Sequence, residues 1–289
     1  MTTQRIGFIG QGWIGRNYAD CFESRGFDVV RYSLEAPYVG NRQRIKDCRI
    51  VFIAVPTPTT PTGFDSSLVV SALENVGPGS TAVVKSTILP GTTEKLQGLF
   101  PDIYVTHSPE FLVEKTAAYD AAHPSRNIVG IPKDNPEYRT RAAEVLSALP
   151  KAPFELVCPA REAELIKYGA NAFLYLKVVY ANILHDLARG LGCNYARVSD
   201  MVAADARIGP SHLQIADNGR GAGGHCFIKD FEAFIGLYAQ AADDPLGLVA
   251  LEAFRDKNVQ LLLGSGKNLD LLRGIYGERH GRLTRRPES

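Results

Sequence analysis

The first half of the chain alternates short apolar runs with amphipathic stretches, and this alternation most constrains its fold. Stretches such as SSLVVSALENV and EYRTRAAEVLSAL have the apolar spacing of helices. Between such stretches lie runs rich in β-branched residues and bounded by turn residues, namely RIGFIG, FDVVRY, RIVFIAV, TAVVKST, IYVTHS, NIVGI and FELV. Strands that alternate with helices form a mostly parallel sheet covered on both faces. The sequence therefore predicts a doubly wound α/β domain.

The second half of the chain has a different pattern, which begins near Pro159. REAELIKYGANAFLYLKVVYANILHDLARGLG is one long helical pattern whose apolar positions extend round much of its circumference. Such a helix needs partners on several sides, and a homodimer interface would supply them. We predict a dinucleotide-binding domain over residues 1–158, a helical dimerisation-type domain over 159–275 and a flexible basic tail over 276–289.

Composition indicates which partners and which cellular compartment to expect for the protein. The net charge of +1 gives no whole-chain signal for nucleic acid or an anionic membrane, and no apolar run is long enough to cross a bilayer. Five cysteines are scattered without a CxxC pair, which argues against a metal site or a disulfide framework. The amino terminus leads straight into a strand pattern. We expect a cytoplasmic protein with no metal, nucleic-acid or membrane partner.

The stretch GFIGQGWIG places Gly10, Gly12 and Gly15 in a G-x-G-x-x-G turn between the first strand and the first helix. The first glycine permits the tight turn, the second lets a pyrophosphate approach the backbone, and the third lets helix and strand pack closely. The phosphates would lie at the positive end of that helix. The turn predicts a Rossmann-type dinucleotide site, which Trp13 and Ile14 would also contact.

The end of the second strand decides between the two nicotinamide cofactors. An acid usually stands there to bind the adenosine ribose, but FDVVRYSLE ends near Ser33, between Arg31 and Glu35. Glu35 would favour NAD, whereas a serine beside an arginine would tolerate the extra phosphate of NADP. We predict NAD and leave NADP open. The next strand ends are expected to add cofactor contacts from Val55, Pro56, Thr57, Ser86 and Thr87.

Four clusters in the rest of the chain need a joint explanation: KSTILPGTT, SPEFLVEK, AELIKYGANAF and GAGGHCFIKD. Singly, each has a structural interpretation: Lys167 as a solvated helix residue, Glu110 as a helix cap, and Cys226 as a buried thiol. Among the cysteines, however, Cys226 alone lies among glycines with a lysine and an acid close behind it. Together, in this order, the clusters resemble the UDP-glucose/GDP-mannose dehydrogenase family from GFIGQGWIG to about Leu263.

This resemblance implies that a primary alcohol, at C6 of a sugar or nucleotide sugar, is oxidised twice to a carboxylate. Cys226 matches the family's nucleophile, which adds to the aldehyde so that a second hydride can leave. Glycines beside Cys226 would let substrate and nicotinamide approach the sulfur. Lys167 matches the residue that stabilises the oxyanion at C6, and Asn171 would share that task.

The resemblance also assigns the hydrolytic step and the substrate contacts. Asp230 resembles an acid that orders a water together with Thr87, and Glu110 resembles the general base of thioester hydrolysis. Arg207 matches an arginine that reaches the substrate of a neighbouring subunit. The implied substrate-binding set is Glu110, Phe111, Leu112, Lys167, Asn171, Arg207, Gly223 and Gly224.

Two departures from the family keep alternatives open. Members continue into another α/β domain that holds the nucleotide, which this short form lacks, and the segment before RIVFIAV is shorter here. A single-step β-hydroxyacid-type dehydrogenase shares the two-domain layout and a lysine followed by asparagine four positions later. A non-catalytic dinucleotide-binding paralogue is the other alternative. The GGHC..KD stretch favours the twofold oxidation.

Overall fold

The computed structural model describes residues 4–60, 63–215 and 219–277. The chain divides into two compact units, of which the first comprises residues 1–58 and 64–167 and the second residues 59–63 and 168–289. The division falls inside a long helix, whereas the boundary we predict at residue 158 falls just before that helix. Most of the predicted basic tail, residues 278–289, lies outside the described residues.

The described residues form nine strands. In chain order they are β1 (Arg5–Ile9), β2 (Asp28–Tyr32), β3 (Ile50–Ile53), β4 (Thr59–Thr60), β5 (Gly63–Phe64), β6 (Thr81–Val84), β7 (Tyr104–His107), β8 (Asn127–Ile131) and β9 (Glu155–Pro159). Strands β4 and β5 pair with each other, and the other seven form one sheet in the order β2-β1-β3-β6-β7-β8-β9. These seven are the predicted strands, while the short β4–β5 pair was not predicted.

The sheet of the first unit is doubly wound, as the alternation predicts. Its neighbouring strands are parallel except β7 and β8, which are antiparallel with His107 opposite Gly130. The chain leaves β1 for β2 on one side and returns to β3 on the other, so the winding direction reverses between β1 and β3. Ligands of such sheets bind at this reversal, beyond the carboxyl ends of the strands.

Ten α-helices accompany the strands in the described part of the chain. They are α1 (Trp13–Ser24), α2 (Ser67–Leu73), α3 (Thr92–Leu99), α4 (Ala117–Ala122), α5 (Pro136–Ala148), α6 (Ala160–Gly190), α7 (Tyr195–Ala203), α8 (Gly224–Ala241), α9 (Pro245–Ser265) and α10 (Leu269–Tyr276). Within the described ranges, none of them combines the length and apolar character needed to cross a membrane.

Alternate residues of the central strands fill two apolar layers of the first unit. Phe8 and Phe52 stack on one face of the sheet with their ring centroids 5.0 Å apart. Ile9 and Ile53, the next residues along the same strands, belong to the layer on the other face. Because both faces are covered, these strands read as nearly continuous apolar runs in the sequence.

A 3-10 helix over Val39–Asp47 occupies the short segment between β2 and β3. Strand β2 lies at one end of the sheet order, and Asn41 donates its side-chain amide to the carbonyl of Arg31 at 2.9 Å. Ile45 is fully buried and anchors the segment in the second apolar layer. This 3-10 helix thus connects β2 to β3 and contacts the backbone of β2 on the side away from β1.

The second unit is helical and packs around aromatic residues. Tyr175 of α6 and Phe231 of α8 stack with their ring centroids 3.8 Å apart. A further apolar cluster joins α8, α9 and α10 through Ile228, Leu262 and Leu272. These contacts fix the start of α8, which follows the glycine-rich stretch before Cys226.

Candidate active site

The glycine turn after β1 has the geometry that its sequence predicts. Gly10 has a φ of +90°, and a Cβ there would collide with the carbonyl of Ala54. A Cβ on Gly15 would collide with the carbonyl of Gly10, so the third glycine is needed for close packing of α1. Gly12, the N-cap of α1, has no atom within 4 Å of the place its Cβ would take. The turn therefore leaves open space at the second glycine.

A cavity of ≈ 890 Å³ in the first unit opens at this turn. Its wall includes Gly10, Gly12, Trp13, Ile14, Ser33, Val55 and Pro56, all predicted cofactor residues. Tyr38 and Arg42 from the segment after β2 complete the wall together with residues of α2. The cavity therefore lies at the reversal of winding, where a dinucleotide is expected.

Ser33 directly follows β2 and lines this cavity, and its hydroxyl donates to the carbonyl of Glu35 at 2.9 Å. Glu35 is exposed and also lines the cavity. The guanidinium of Arg31 already forms ion pairs with Asp20 at 2.6 Å and Glu23 at 2.7 Å, both on α1. The adenosine end of the cavity thus holds a carboxylate, while the arginine that suggested NADP is occupied.

Two hydroxyls brace the loops that follow β3 and β6. Ser86 accepts from the backbone N–H of Val55 at 3.0 Å and donates to its carbonyl at 2.7 Å. Thr57 donates to the carbonyl of Thr87 at 2.7 Å. These contacts give Ser86 and Thr57 a clear role in holding the strand ends together. Their predicted contact with the cofactor stays a prediction.

Glu110 and Lys167 form a buried ion pair in the first unit. Lys167 Nζ on α6 lies 2.8 Å from Glu110 Oε1 and 2.7 Å from the Glu110 carbonyl oxygen. The other carboxylate oxygen accepts the backbone N–H of Leu112 at 2.9 Å. Only 5% of Lys167 and 4% of Glu110 are exposed. A charge pair kept away from water costs desolvation free energy, so function is a good reason to retain it.

Arg126 was missed by the sequence analysis and lies beside this pair. Its guanidinium carbon is 3.7 Å from the ring centroid of Phe111, and Lys167 Nζ is 5.7 Å from the same centroid. Burial lowers the pKa of Arg126. The aromatic ring therefore has cations close to it, and Phe111 and Leu112 flank the buried carboxylate along the chain. No motif in the sequence linked Arg126 to SPEFLVEK.

Cys226 lies in the first turn of α8, directly after the glycines that we expected to give ligands access to its sulfur. Its side chain is exposed, and Gly223 is the N-cap of the helix. Helix N-termini carry partial positive charge that favours thiolates. Gly223 and Gly224 stand at the N-cap and the first position of the helix, so the glycine-rich stretch leads directly into α8.

The glycines before Cys226 are closely contacted by polar side chains of α9 and α10. Asn258 accepts from the N–H of Ala222 at 2.7 Å and donates to its carbonyl at 2.9 Å. A Cβ on Gly223 would collide with the Asn268 side chain, and Gly221 has a φ of +91°. These two glycines are thus required by packing within the protein. Gly224 faces open space, as clearance for a ligand would require.

Asp230 is one helical turn after Cys226 and is 1% exposed. Asn171 donates to its Oδ2 at 2.6 Å, and Lys229 Nζ lies 2.6 Å from its Oδ1. Lys229 was not among the predicted site residues, although the sequence places it next to Asp230. The second unit thus brings Asn171, Asp230 and Lys229 together, while Thr87 belongs to the first unit.

Arg207 lies on the exposed turn after α7. Its guanidinium donates to both carboxylate oxygens of Asp205, from Nη2 to Oδ2 at 2.6 Å and from Nε to Oδ1 at 3.0 Å, and these hydrogen bonds lower the pKa of Asp205. The Arg207 side chain is 88% exposed. A residue so exposed is available to a second molecule, and its predicted role in a neighbouring subunit stays a prediction.

Both units match models of one protein family. Residues 38–149 match the model described as UDP-glucose/GDP-mannose dehydrogenase family, NAD binding domain. Residues 161–259 match the central domain of the same family. The two matches follow each other in the chain, and they include Glu110, Lys167, Asn171, Cys226 and Asp230 but not the glycine turn after β1.

Two UDP-glucose 6-dehydrogenases are among the proteins similar to this chain. The enzyme AglM of Haloferax volcanii is 30% identical over 318 residues, which cover 93% of this chain and 72% of the relative. The enzyme of Pseudomonas aeruginosa is 34% identical over 311 residues, which cover 89% of this chain and 66% of the relative. This chain therefore spans roughly two thirds of their lengths.

Solved structures give the same picture of the fold. A UDP-glucose dehydrogenase of Pyrobaculum islandicum is 30% identical, with a TM-score of 0.76 over 91% of this chain and 71% of that chain. The 3-hydroxyisobutyrate dehydrogenase of Mycobacterium tuberculosis is 18% identical, with a TM-score of 0.68 over 96% of this chain and 100% of that chain. The second likeness concerns the fold alone.

Proposed function

The chain belongs to the UDP-glucose/GDP-mannose dehydrogenase family, and we propose that it oxidises a primary alcohol of a nucleotide sugar to a carboxylate with NAD. The observation that carries the proposal is Cys226, an exposed cysteine at the start of a helix with the buried Asp230 one turn behind it. A dehydrogenase that stops at a ketone or aldehyde needs no nucleophile of this kind.

The first oxidation needs a base for the hydroxyl proton and stabilisation of the alkoxide. Lys167 supplies positive charge close to Glu110, and Asn171 offers a neutral amide donor. Bound NAD would supply the acceptor for the hydride at C6, the hydroxyl proton would pass to solvent, and the aldehyde would be the product. The cavity at Gly12, with open space beside the N-terminus of α1, fits the pyrophosphate of this cofactor.

The second oxidation needs a covalent step, because an aldehyde has no hydroxyl from which to start. Addition of the Cys226 thiolate to the aldehyde carbon, with a proton from solvent on the former carbonyl oxygen, would give a thiohemiacetal. Its C6 hydride would pass to a second NAD and its hydroxyl proton back to solvent, which leaves a thioester. Water then attacks the resulting thioester, with Glu110 accepting its proton, and the Cys226 sulfur leaves. One alcohol, one water and two NAD⁺ give one carboxylate, two NADH and three protons.

The substrate class comes from the family and from the names of the relatives. The two relatives described above, from Haloferax volcanii and Pseudomonas aeruginosa, are named UDP-glucose 6-dehydrogenases. A nucleotide sugar with a free C6 hydroxyl is therefore the proposed substrate. A cytoplasmic location is proposed with it, on the cysteine pattern that predicts a reducing compartment.

We also infer a homodimer through the outer face of α6. Phe173, Tyr180 and Leu187 follow one another at seven-residue spacing, and they are 68%, 53% and 57% exposed. Seven residues are close to two helical turns, so the three side chains share one side of the helix. An apolar stripe of this kind on a surface helix favours association with a second copy.

The stoichiometry of the reaction tests the proposal. With UDP-glucose as the probe, two NADH should form per carboxylate. Cys226→Ser should lower acid formation by roughly 10³-fold or more, because the covalent step has no substitute. Cys193→Ser, which replaces another exposed thiol, is the matched control and should leave it unchanged.

The alternatives predict other outcomes. One NADH per oxidised product, unaffected by Cys226→Ser, would identify a single-step dehydrogenase. NAD binding without reduction, across a panel of nucleotide sugars and sugar alcohols, would identify a non-catalytic protein.

A further inference from the structure

Lys85 is a buried lysine to which the proposed reaction gives no role. It directly follows β6, and 3% of it is exposed. Its Nζ lies 3.0 Å from the carbonyl oxygen of Ser108 and 3.1 Å from the Ser108 hydroxyl. Tyr18 of α1 places its ring centroid 4.6 Å from the same Nζ. The ammonium therefore sits against a backbone carbonyl, a hydroxyl and an aromatic face.

Several titratable groups surround this lysine. Burial lowers the pKa of Lys85 to about 7, while the charge of Glu110 opposes that change and the charge of Lys167 adds to it. Burial, followed by the charge of Lys85, lowers the pKa of His107 on β7 to about 3, so this imidazole stays neutral. Burial and the charge of Glu110 raise the pKa of Tyr18. Of Lys85, His107 and Tyr18, Lys85 is therefore the group whose charge we expect to change near neutral pH.

Ser108 and Glu110 belong to one short segment that two lysines hold at its two ends. Lys85 binds Ser108, and Lys167 binds both the carbonyl and the carboxylate of Glu110. The N–H of Leu112 binds the remaining carboxylate oxygen. Removing either lysine would free one end of the segment that presents the carboxylate.

We propose that Lys85 is a positioning residue, which fixes the Ser108–Glu110 segment and so aims the Glu110 carboxylate for thioester hydrolysis. This inference rests on the proposed function for its purpose, but its structural content does not depend on activity. An apolar residue of the same size would fill the space without the cost of burying an ammonium. Retention of a lysine there is explained if its hydrogen bonds to Ser108 are needed.

Hydrogen exchange at the Leu112 amide tests the inference without any substrate. This amide donates to Glu110 Oε2, so its protection reports how firmly the carboxylate is held. Lys85→Met should speed its exchange about tenfold or more, since hydrogen bonds to charged groups are the stronger ones. Lys95→Met, which removes an exposed lysine of α3, is the control and should leave exchange unchanged.

The pH dependence separates positioning from simple packing. Above pH about 7 the Lys85 ammonium loses its proton and its bonds to Ser108 weaken, so Leu112 exchange in the wild type should accelerate relative to Lys85→Arg, which stays charged. The exchange rate of the Leu112 amide in Lys85→Met, divided by its rate in Lys85→Arg, should stay constant with pH. If the Leu112 exchange rate of the wild type relative to Lys85→Arg also stays constant between pH 6 and 8.5, the inference is overturned.

A second variant, Ser108→Ala, tests the same hydrogen bonds from the side of their acceptor. If Lys85→Met does not fold, Ser108→Ala removes the hydroxyl partner instead and should speed Leu112 exchange while Lys85→Arg preserves protection. Unchanged exchange in a folded Lys85→Met or in Ser108→Ala would contradict the inference.

NADH formation from UDP-glucose should fall about tenfold in kcat in Lys85→Met, with KM for NAD unchanged. A wild type that reduces NAD with none of the nucleotide sugars and sugar alcohols of the panel would refute the proposed function, while the exchange data would still decide the role of Lys85.

Discussion

Two glycine-rich stretches each lead into a helix, and their glycines are needed for different reasons. At the turn after β1, Gly12 faces open space beside a large cavity, which suits a ligand. Before α8, Gly221 and Gly223 face Asn258 and Asn268, so their missing side chains make room for the protein itself. A glycine-rich stretch therefore indicates close approach, but the sequence does not say whether ligand or protein approaches.

The largest loss of stability is expected for a substitution at Gly15, because a backbone carbonyl occupies the space that a side chain there would need. Gly15→Ala should destabilise the protein by about 3 kcal/mol, because the carbonyl of Gly10 cannot move without distorting β1. Urea unfolding measures this free energy. Gly98→Ala, at a helical position with open space, is the matched control and should be neutral or slightly stabilising.

Gly223→Ala should cost less, about 2 kcal/mol, because the atom it meets belongs to a side chain that is able to turn away. The double variant with Asn268→Ala should recover part of the loss in the same unfolding assay. Gly236→Ala, which meets no atom within 4 Å, serves as the control. Equal destabilisation in the single and double variants would refute the explanation by packing.

Gly12→Ala should behave in the opposite way, with stability nearly unchanged and ligand affinity reduced. Its Cβ meets no protein atom, but it would enter the space that a pyrophosphate needs. NAD affinity should fall about tenfold by calorimetric titration. If NAD binds Gly12→Ala as well as the wild type, the two glycine stretches do not differ in the way described.

The smallest expected effect is a change of cofactor preference in Ser33→Asp, a substitution at the adenosine end of the same cavity. A carboxylate at the end of β2 accepts from ribose hydroxyls and repels a 2′-phosphate, so the preference for NAD over NADP should rise about fivefold. Thermal shift with each cofactor measures it. Glu35→Gln is the companion variant, and an unchanged preference there would show that Glu35 takes no part.

The sequence predicted the sheet well because its signals are local. Strands β1, β3, β6, β7 and β8 are mostly buried, and each of the seven strands is a short apolar run between turn residues. The G-x-G-x-x-G spacing likewise predicts the turn after β1 from neighbouring residues alone. The β4–β5 pair was missed because strands of two residues have no periodicity. The start of α8 at Gly224 was not predicted, because the glycine-rich stretch before Cys226 has no apolar periodicity and glycine has a low helix propensity.

The site was only partly predictable for a related reason. Cys226, Asp230, Lys167 and Glu110 stand in recognisable motifs, and the structure gives the last two a direct contact. Arg126 and Lys85 touch the Glu110 segment only through the fold, from positions that are distant in sequence. Their partners follow from strand order and burial, which no local pattern encodes.

The 3-10 helix over Val39–Asp47 has a consequence for solubility. The outermost strand of an open sheet exposes unpaired backbone groups and is a template for aggregation with other chains. Here Asn41 occupies the Arg31 carbonyl of β2, and Arg42, Arg44 and Lys46 place exposed charges along the segment. A short connection thus protects the outermost strand against intermolecular pairing, without another strand beside it.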